Sequence, residues 1–275
     1  MRQTLADKLL RLLSIGRMTF SKEEVPSLLG MTLSAFEDAS RRAIGKGRLL
    51  RPRRGSYVVV PPQDMTYGAP PAAHVIDDLM RYEDAPYYVG LLKAAEIHGA
   101  AHQAVMAFQV VSTKRLPLIP LGRGVMDFYY ARSMPPPHLL ERKQTDAGFF
   151  NVSGVALTAV DLLRYPRASG SIDAAASVIG DLVEKMDASA IAGLHGVVPV
   201  PTLQRLGYIL DQVGASRMAD EVAKIIEGNA RRIELDSFAP VKHHDPEYVD
   251  DRWKVIVRRS LELDHDSQEL SPRMG

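Results

Sequence analysis

Residues 31–62 constrain the fold more than any other stretch, because there a predicted helix runs into a basic β-hairpin. Thr32 suits the N-cap of the helix, and Ser34 with Glu37 offers a capping box two residues later. A 3.6-residue period predicts a packed face of Leu33, Phe36, Ser40, Ala43 and Ile44. The other side carries Ser34, Ala35, Asp38, Arg41, Arg42 and Lys46.

After Gly45 and Gly47 the pattern changes to that of a hairpin. The run Pro52-Arg53-Arg54-Gly55 is a turn signal between two predicted strands, residues 48–51 and 56–60. A helix followed by an arginine-tipped hairpin is typical of the second half of a winged helix-turn-helix. In such a unit the helix enters the major groove of DNA, and the wing contacts backbone or minor groove.

Two further helices are predicted before this stretch. An apolar face of Leu5, Leu9, Leu12 and Leu13 indicates a helix at residues 3–15, which ends before Gly16. The capping box that begins at Ser21 and ends at Glu24 predicts a short second helix, which buries Val25, Leu28 and Leu29.

Charge separates this segment from the rest of the chain. Residues 1–60 hold twelve of the 34 Lys and Arg residues and five of the 33 Asp and Glu residues, a net charge of +7. The remaining 22 and 28 give −6, so a basic head precedes an acidic body. Like charges crowded at Arg51, Arg53 and Arg54 indicate an anionic partner, and duplex DNA is the natural one. A solvated surface or a protein-binding winged helix is the alternative.

Composition limits the compartment. The chain has no cysteine, which excludes disulfides and thiolate metal sites and favours a reducing cytoplasm. Charges at Arg2, Asp7, Lys8 and Arg11 argue against a signal peptide. No apolar run approaches the ~20 residues that span a bilayer. We therefore expect a cytoplasmic protein without a membrane partner.

Two proline pairs between residues 60 and 71 predict a semi-extended linker. The expected organisation is a DNA-binding domain at 1–62, a linker at 63–73, a second domain at 74–264 and a disordered tail at 265–275. Few contacts should cross the linker.

The second domain has helical patterns at 73–82 and 87–98, followed by strands at 107–112, within 116–132 and at 148–152. Five helices are predicted next, at 155–165, 172–186, 188–195, 202–213 and 217–227, and then strands at 231–235 and 253–259. The order lacks a βαβ rhythm, so the predicted fold class is α+β.

Candidate catalytic clusters are weak. His98 and His102 lie one helical turn apart without an acidic partner, while His243-His244-Asp245 and Asp264-His265-Asp266 lie beside proline or in the tail. Gly122-Arg-Gly124 is too short for a phosphate cradle and predicts a hairpin turn. Thr158, Asp161 and Arg164 share a helix face that we interpret as solvated rather than as a contact surface. No nucleophile elbow, P-loop or dinucleotide fingerprint occurs, so we expect neither an enzyme nor a cofactor or metal.

Several runs together resemble the antitoxins of the AbiE abortive-infection systems, a type IV toxin–antitoxin family. They are YYVGLLKAAEIHGAAHQ at 87–103 followed by FQVV at 108–111, VSG at 152–154, TAVDLLRY at 158–165, QRLGYIL at 204–210 and RWKVIV at 252–257. The resemblance covers residues 5–264, and the run that begins at Tyr87 is its most specific part.

The resemblance implies an operon autorepressor that binds inverted repeats in its own promoter through the winged helix. It also implies an antitoxin that counteracts a nucleotidyltransferase-like toxin without requiring a stable complex. The family's basic positions map to Arg41, Arg42, Lys46, Arg51, Arg53 and Arg54, and with Thr32, Ser34 and Asp38 they form the predicted DNA-binding set. Asp38 could accept from a cytosine amino group or only orient Arg42.

Two other functions stay open at this point. One is a metal-dependent nucleic-acid-processing enzyme that the winged helix targets, which would need a clustered carboxylate–histidine set. The other is a transcription factor that senses a small molecule in its second domain.

Overall fold

A computed structural model describes residues 3–100, 105–236 and 248–263 of the chain. The described residues form two compact units. The first unit runs up to Gly154 without residues 98–100, and the second comprises those three residues and everything from Val155 onward. The predicted tail, His102 and both His/Asp clusters at 243–245 and 264–266 lie outside the described residues.

The first unit begins with three helices and a three-stranded sheet. Their order is α1 (Leu5–Ser14), β1 (Thr19–Ser21), α2 (Val25–Leu29), α3 (Leu33–Gly45), β2 (Leu49–Arg53) and β3 (Ser56–Val59). The sheet is antiparallel in the order β1-β3-β2. The predicted first helix is confirmed, since Thr4 and Asp7 form a capping box and Leu5, Leu9 and Leu12 are buried.

The predicted start of the second helix is wrong. Ser21 is the last residue of β1, and α2 begins at Val25 after Glu24, which makes no side-chain cap. The carboxylate of Glu24 does accept from the backbone N–H of Ser21 at 2.8 Å, so the pairing of the two residues was anticipated correctly. The strand was missed because its partner β3 lies far along the chain, and local pattern carries no signal for such pairing.

β3 belongs to two cores at once. Tyr57 and Val59 pack in the N-terminal core, where the rings of Phe20 and Phe36 lie 5.4 and 4.9 Å from the Tyr57 ring. Val58, on the opposite face of the strand, packs in the core of the larger sheet that follows. Side chains alternate between the faces of a strand, so an unbroken apolar run is buried on both sides.

A six-stranded mixed sheet completes the first unit. Short 3-10 turns (Pro62–Asp64, Ala72–His74) lead to α4 (Ile76–Tyr82), β4 (Tyr87–Val89) and α5 (Leu91–Ile97). Then come β5 (Ala107–Ser112), β6 (Ile119–Leu121), β7 (Gly124–Tyr130), another 3-10 turn (Pro137–Leu139), β8 (Leu140–Thr145) and β9 (Gly148–Ser153). The strand order is β6-β7-β5-β4-β9-β8.

Most of these elements were predicted, with two corrections. The helix predicted at 87–98 begins with a strand, because Tyr87, Tyr88 and Val89 pair with β5 and Val89 also pairs with β9. Strand β8 was not predicted because its sequence is polar. It is polar because β8 is an edge strand with little burial. The turn at Gly122 and Arg123 is confirmed, with Leu121 paired to Gly124.

The proline-rich segment packs against the six-stranded sheet, and contacts also cross from one side of the segment to the other. The N–H of Arg123 donates to the carbonyl of Tyr67 at 3.1 Å. Gly122, which has a φ of +61°, lies close to the oxygen of the same carbonyl. Val58 joins the sheet core from the N-terminal side. The prediction of few contacts across this segment is therefore wrong, and the compact units divide at Gly154 instead.

The second unit is mainly helical. Its helices are α6 (Val155–Arg164), α7 (Pro166–Ser169), α8 (Ile172–Val183), α9 (Ala188–Ala192), α10 (Val200–Gln212) and α11 (Ser216–Ile226). A small sheet of β10 (Ile233–Glu234), β11 (Tyr248–Val249) and β12 (Val255–Val257) follows, in the order β10-β12-β11. All five predicted helices are found, and the α+β fold class is confirmed. The interpretation of Thr158 and Asp161 as solvated is wrong, because both are fully buried.

Helix α10 is the centre of the second unit and packs against α6, α8 and α11. Trp253 lies on it, fully buried, and its indole N–H donates to Asp211 at 2.6 Å. The Gln204 amide donates to the carbonyls of Arg231 and Trp253 at 2.7 and 2.6 Å. The lone tryptophan therefore joins the end of the chain to α10.

Gly207 allows this close packing, and its replacement should be costly. A Cβ at Gly207 would lie 2.1 Å from the Trp253 ring, which has no room to move. We expect Gly207→Ala to lower the free energy of unfolding by about 2–3 kcal/mol, through overpacking. Urea unfolding followed by Trp253 fluorescence measures this directly.

Gly180→Ala is the matched control. A Cβ there meets Val213 at an ordinary 3.5 Å, so helix propensity should make this variant neutral or more stable, by up to about 1 kcal/mol. Equal unfolding midpoints for the two variants would contradict the packing of Trp253 on α10.

Candidate nucleic-acid interface

Helix α3 begins where its N-cap predicts. Thr32 has extended backbone, and its hydroxyl accepts from the N–H of Ala35 at 3.3 Å. The buried face is narrower than predicted, since only Phe36 and Ser40 are fully buried. Leu33 and Ile44 are 41% and 38% exposed, so their assignment to the packed face is wrong. Ala39 and Ala43 are both half-buried, so the buried face of the helix runs along Phe36 and these two alanines and leaves Leu33 and Ile44 at its edges.

The exposed side of α3 carries cations. Arg42 and Lys46 are exposed, and within the described residues neither has an ion pair or hydrogen bond to its side chain. Arg41 pairs with Asp38 at 3.1 Å, and both side chains remain mostly in solvent, at 76% and 62% exposure. Asp38 therefore meets Arg41, three residues on, rather than Arg42. Ser34 is exposed in the first turn.

The hairpin turn is shorter than predicted. Arg53 pairs with Ser56, leaving Arg54 and Gly55 as the two-residue loop, with Gly55 at φ +84°. Pro52 lies inside β2, where the register shifts between Leu50 and Arg53. Proline has no N–H to donate to a ladder, so an irregularity in an edge strand accommodates it.

Arg53 faces inward and is held by the first unit. Its Nε donates to Glu83 at 2.9 Å, its Nη2 donates to the carbonyl of Pro117, and the guanidinium lies 5.7 Å from the Phe128 ring centre. The side chains of Arg53 and Glu83 are only 15% and 16% exposed. Among the predicted DNA-binding residues, Arg53 is thus the one that the fold uses for packing.

Arg54 points the other way. Its backbone carbonyl accepts from the Tyr82 hydroxyl at 2.8 Å, while its side chain is exposed. A Cβ at Gly55 would lie 2.6 Å from the same hydroxyl oxygen, so the tip of the hairpin rests closely on α4. Partial burial raises the pKa of Tyr82 above its usual range.

An open groove of about 650 Å³ lies between α3 and the hairpin. It brings together three of the predicted residues, Arg41, Arg51 and Arg54. Lys22, Glu37 and Ile44 also line it, with Tyr57 and Tyr82. The groove thus has basic walls with apolar patches. Thr32, Ser34, Asp38, Arg42, Lys46 and Arg53 do not line it.

Lys22 and Glu37 form an ion pair in the groove at 2.6 Å. The hydrogen bond from Lys22 holds the pKa of Glu37 below its usual range and, in return, raises that of Lys22. The negative charge of Glu37 is therefore matched by Lys22. Glu23 also lines the groove, but the three arginines outnumber it, so the net charge of the groove is positive.

Lys22 and Tyr82 were missed by sequence reasoning. Lys22 directly follows β1. The alternation of polar and apolar residues in Thr19-Phe20-Ser21, next to a basic residue, was the sequence signal that could have indicated a strand with a basic end. Tyr82 lies 28 residues from Arg54, and no local pattern indicates that it supports the hairpin.

Comparison with protein families identifies the region that follows the hairpin. Residues 88–212 match the model of the AbiEi antitoxin C-terminal domain. These residues belong to the AbiEi antitoxin family. The resemblance to AbiE-type antitoxins is thereby confirmed, and with it an antitoxin role that implies a toxin as partner.

One solved structure has a similar fold along nearly the whole chain. The crystal structure of the RV2827C protein from Mycobacterium tuberculosis superposes with a TM-score of 0.66 at 17% sequence identity, covering 93% of this chain and 92% of that one. At this identity the likeness concerns the fold alone. The comparison with curated proteins finds no significant match.

Two further observations concern the described residues. They include no helix long and apolar enough to cross a membrane. They also include no group of three or more His, Cys, Asp or Glu side chains arranged to hold a metal ion.

Proposed function

We propose that this AbiEi antitoxin is a winged helix-turn-helix repressor of its own operon, acting in the cytoplasm, and that it counteracts a nucleotidyltransferase-like toxin. Helix α3 would lie in the major groove of the promoter, and the β2–β3 hairpin would contact the DNA backbone. The element order and the antiparallel hairpin support this proposal. The antitoxin family also suggests a regulator rather than an enzyme.

The observation that carries the proposal is a set of unengaged cations. Arg42, Lys46, Arg51 and Arg54 are exposed on two adjacent elements, and within the described residues their side chains have no salt bridge or hydrogen bond. Four exposed cations on adjacent elements raise the local potential, and DNA phosphates relieve their repulsion while counterions are released.

The proposed contacts divide by position. Arg42 would reach base edges, where a bidentate pair to guanine discriminates sequence. Arg51 and Arg54 would contact phosphates from the hairpin, which fixes register without carrying sequence information. Arg53 acts differently, because it holds the hairpin through Glu83. Ile44, exposed at the groove, offers an apolar contact to a thymine methyl group.

Repression and neutralisation should be separable by point substitution. We expect a full-length Arg42→Ala/Arg54→Ala variant to lose repression of a promoter–reporter fusion while still protecting cells from the toxin, because the AbiEi match begins at residue 88. The measurements are reporter output and survival on toxin co-expression, at matched protein levels.

Arg123→Ala/Arg132→Ala removes the same charge from exposed positions outside α3 and the hairpin, and it should repress normally. Repression that survives in the Arg42/Arg54 variant would refute the DNA-binding surface. Loss of protection in that variant would show that neutralisation also needs the basic helix and hairpin.

A further inference from the structure

A cavity in the second unit, remote in sequence from α3 and the hairpin, has the features of a ligand site. Its volume is about 330 Å³. It is open to solvent and is lined by the end of α6, α7, the start of α8, α10 and residues 235–236. Small-molecule pockets fall in the range of ~300–1,000 Å³, so this one suits a compact ligand.

Arg205 is held in the cavity wall through a single nitrogen of its guanidinium group. Its Nε donates to the carbonyls of Glu234 and Leu235, at 3.0 and 3.2 Å. Within the described residues, Nη1 and Nη2 have no hydrogen-bond partner. Burial lowers the pKa of Arg205, yet a guanidinium stays charged near neutral pH. The side chain is therefore a pre-oriented cation with two donor nitrogens left over.

The corner of the cavity between α6 and α7 is also held in place. The hydroxyl of Ser169 donates to the carbonyls of Leu162 and Pro166, at 3.0 and 3.2 Å, and this closes the corner between α6 and α7. Arg164 projects from that corner, exposed, and stacks over the Tyr165 ring at 5.5 Å. A fixed corner places a second guanidinium at the cavity.

The lining combines net positive charge with apolar walls. Arg164, Arg167 and Arg205 against Asp236 give a net charge of +2. The apolar part consists of Leu162, Leu163, Pro166, Ile172, Ala175 and Leu235. A dianionic group matches the charge, and planar guanidinium edges match phosphate geometry.

We propose that this cavity binds a nucleoside monophosphate, with its phosphate on Arg205 and Arg164 and its base against the apolar wall. Such a site would make the antitoxin responsive to a small molecule. It stands apart from DNA binding and does not depend on it.

Calorimetric titration of the full-length chain tests the proposal. The probes are the four common ribonucleoside monophosphates, with inorganic phosphate and adenosine as partial ligands. We expect at least one monophosphate to bind with a dissociation constant below about 1 mM, and phosphate and adenosine to bind at least about tenfold more weakly, since each lacks half of the contacts.

Substitutions locate the binding. Arg164→Ala and Arg205→Lys should each weaken monophosphate binding about tenfold, since each loses a charge-assisted contact. Arg217→Ala removes an exposed arginine of α11 whose side chain has no salt bridge or hydrogen bond within the described residues, and it should bind as the wild type does. Arg164 is exposed, so its variant keeps the test decisive if Arg205→Lys fails to fold.

Three results would overturn the proposal. The first is the absence of binding by every monophosphate. The second is binding that Arg164→Ala leaves unchanged. The third is inorganic phosphate binding as tightly as the nucleotides, which would remove the role of the apolar wall and mark a simple anion site.

Discussion

Replacing Arg42 and Arg54 together with alanine should lower the affinity of the antitoxin for its promoter DNA by about a hundredfold. Loss of a bidentate base contact at Arg42 accounts for most of the effect on the cognate sequence, and loss of a phosphate contact at Arg54 weakens every sequence alike. Both side chains are exposed and have no salt bridge or hydrogen bond within the described structure, so we expect the substitutions to leave the fold intact. Gel-shift titration against promoter and random DNA measures both parts.

Salt dependence provides the second measurement. Each phosphate contact that is lost should reduce the slope of log K against log salt by about 0.9, so Arg54→Ala should flatten it by roughly one unit. Arg123→Ala/Arg132→Ala should leave affinity and slope near wild type. If Arg42→Ala weakened promoter and random DNA equally, Arg42 would not contact bases, and the orientation of α3 proposed above would be wrong.

Arg53→Ala should act on stability rather than on DNA contacts. Removing the guanidinium leaves Glu83, which is 16% exposed, with Lys114 at 3.3 Å as its one remaining charged partner within the described residues. Breaking a largely buried pair from one side should cost about 2–4 kcal/mol, which corresponds to roughly 5–10 °C in Tm. Thermal unfolding followed by circular dichroism measures the loss.

Arg54→Ala is the matched control, because it removes the same side chain from the next position, where it is exposed. It should leave Tm within about 1–2 °C of wild type. Arg53→Leu/Glu83→Leu should recover part of the stability that Arg53→Ala loses, since two apolar groups of similar volume replace a buried ion pair without leaving a lone charge. Equal Tm values for Arg53→Ala and Arg54→Ala would refute the inward orientation of Arg53.

The docking of the hairpin also changes how the chain can be divided. Arg53 contacts Pro117 and Phe128, both of which lie within the AbiEi match. Val58 fills the core of the six-stranded sheet. A fragment that begins after the proline-rich segment would lack these groups and expose apolar surface. A separate DNA-binding domain at residues 1–62 stays a prediction about function, and point substitutions test it better than truncation.

Local rules accounted for much of the fold. The cap at Thr32, the apolar period of α1 and the glycine turn at Gly122 depend on residues a few positions apart. These contacts form whatever the rest of the chain does, so the sequence alone indicates them. The runs that resemble AbiE antitoxins likewise carried the family assignment, because a family is defined by sequence.

The sequence by itself determined five of the six described helices of the second unit, the strands at 107–112 and 148–152, the basic character of α3 and its hairpin, and the antitoxin family. Only the tertiary structure decided which of two adjacent arginines faces solvent, since Arg53 meets Glu83 across thirty residues while Arg54 does not. It also decided that β3 packs on both faces, and that α6, α8, α10 and residues 235–236 line a cavity. The physical reason is the same in each case. Burial of a charge or a strand face depends on partners far along the chain, and the local propensities of residues carry no information about those partners.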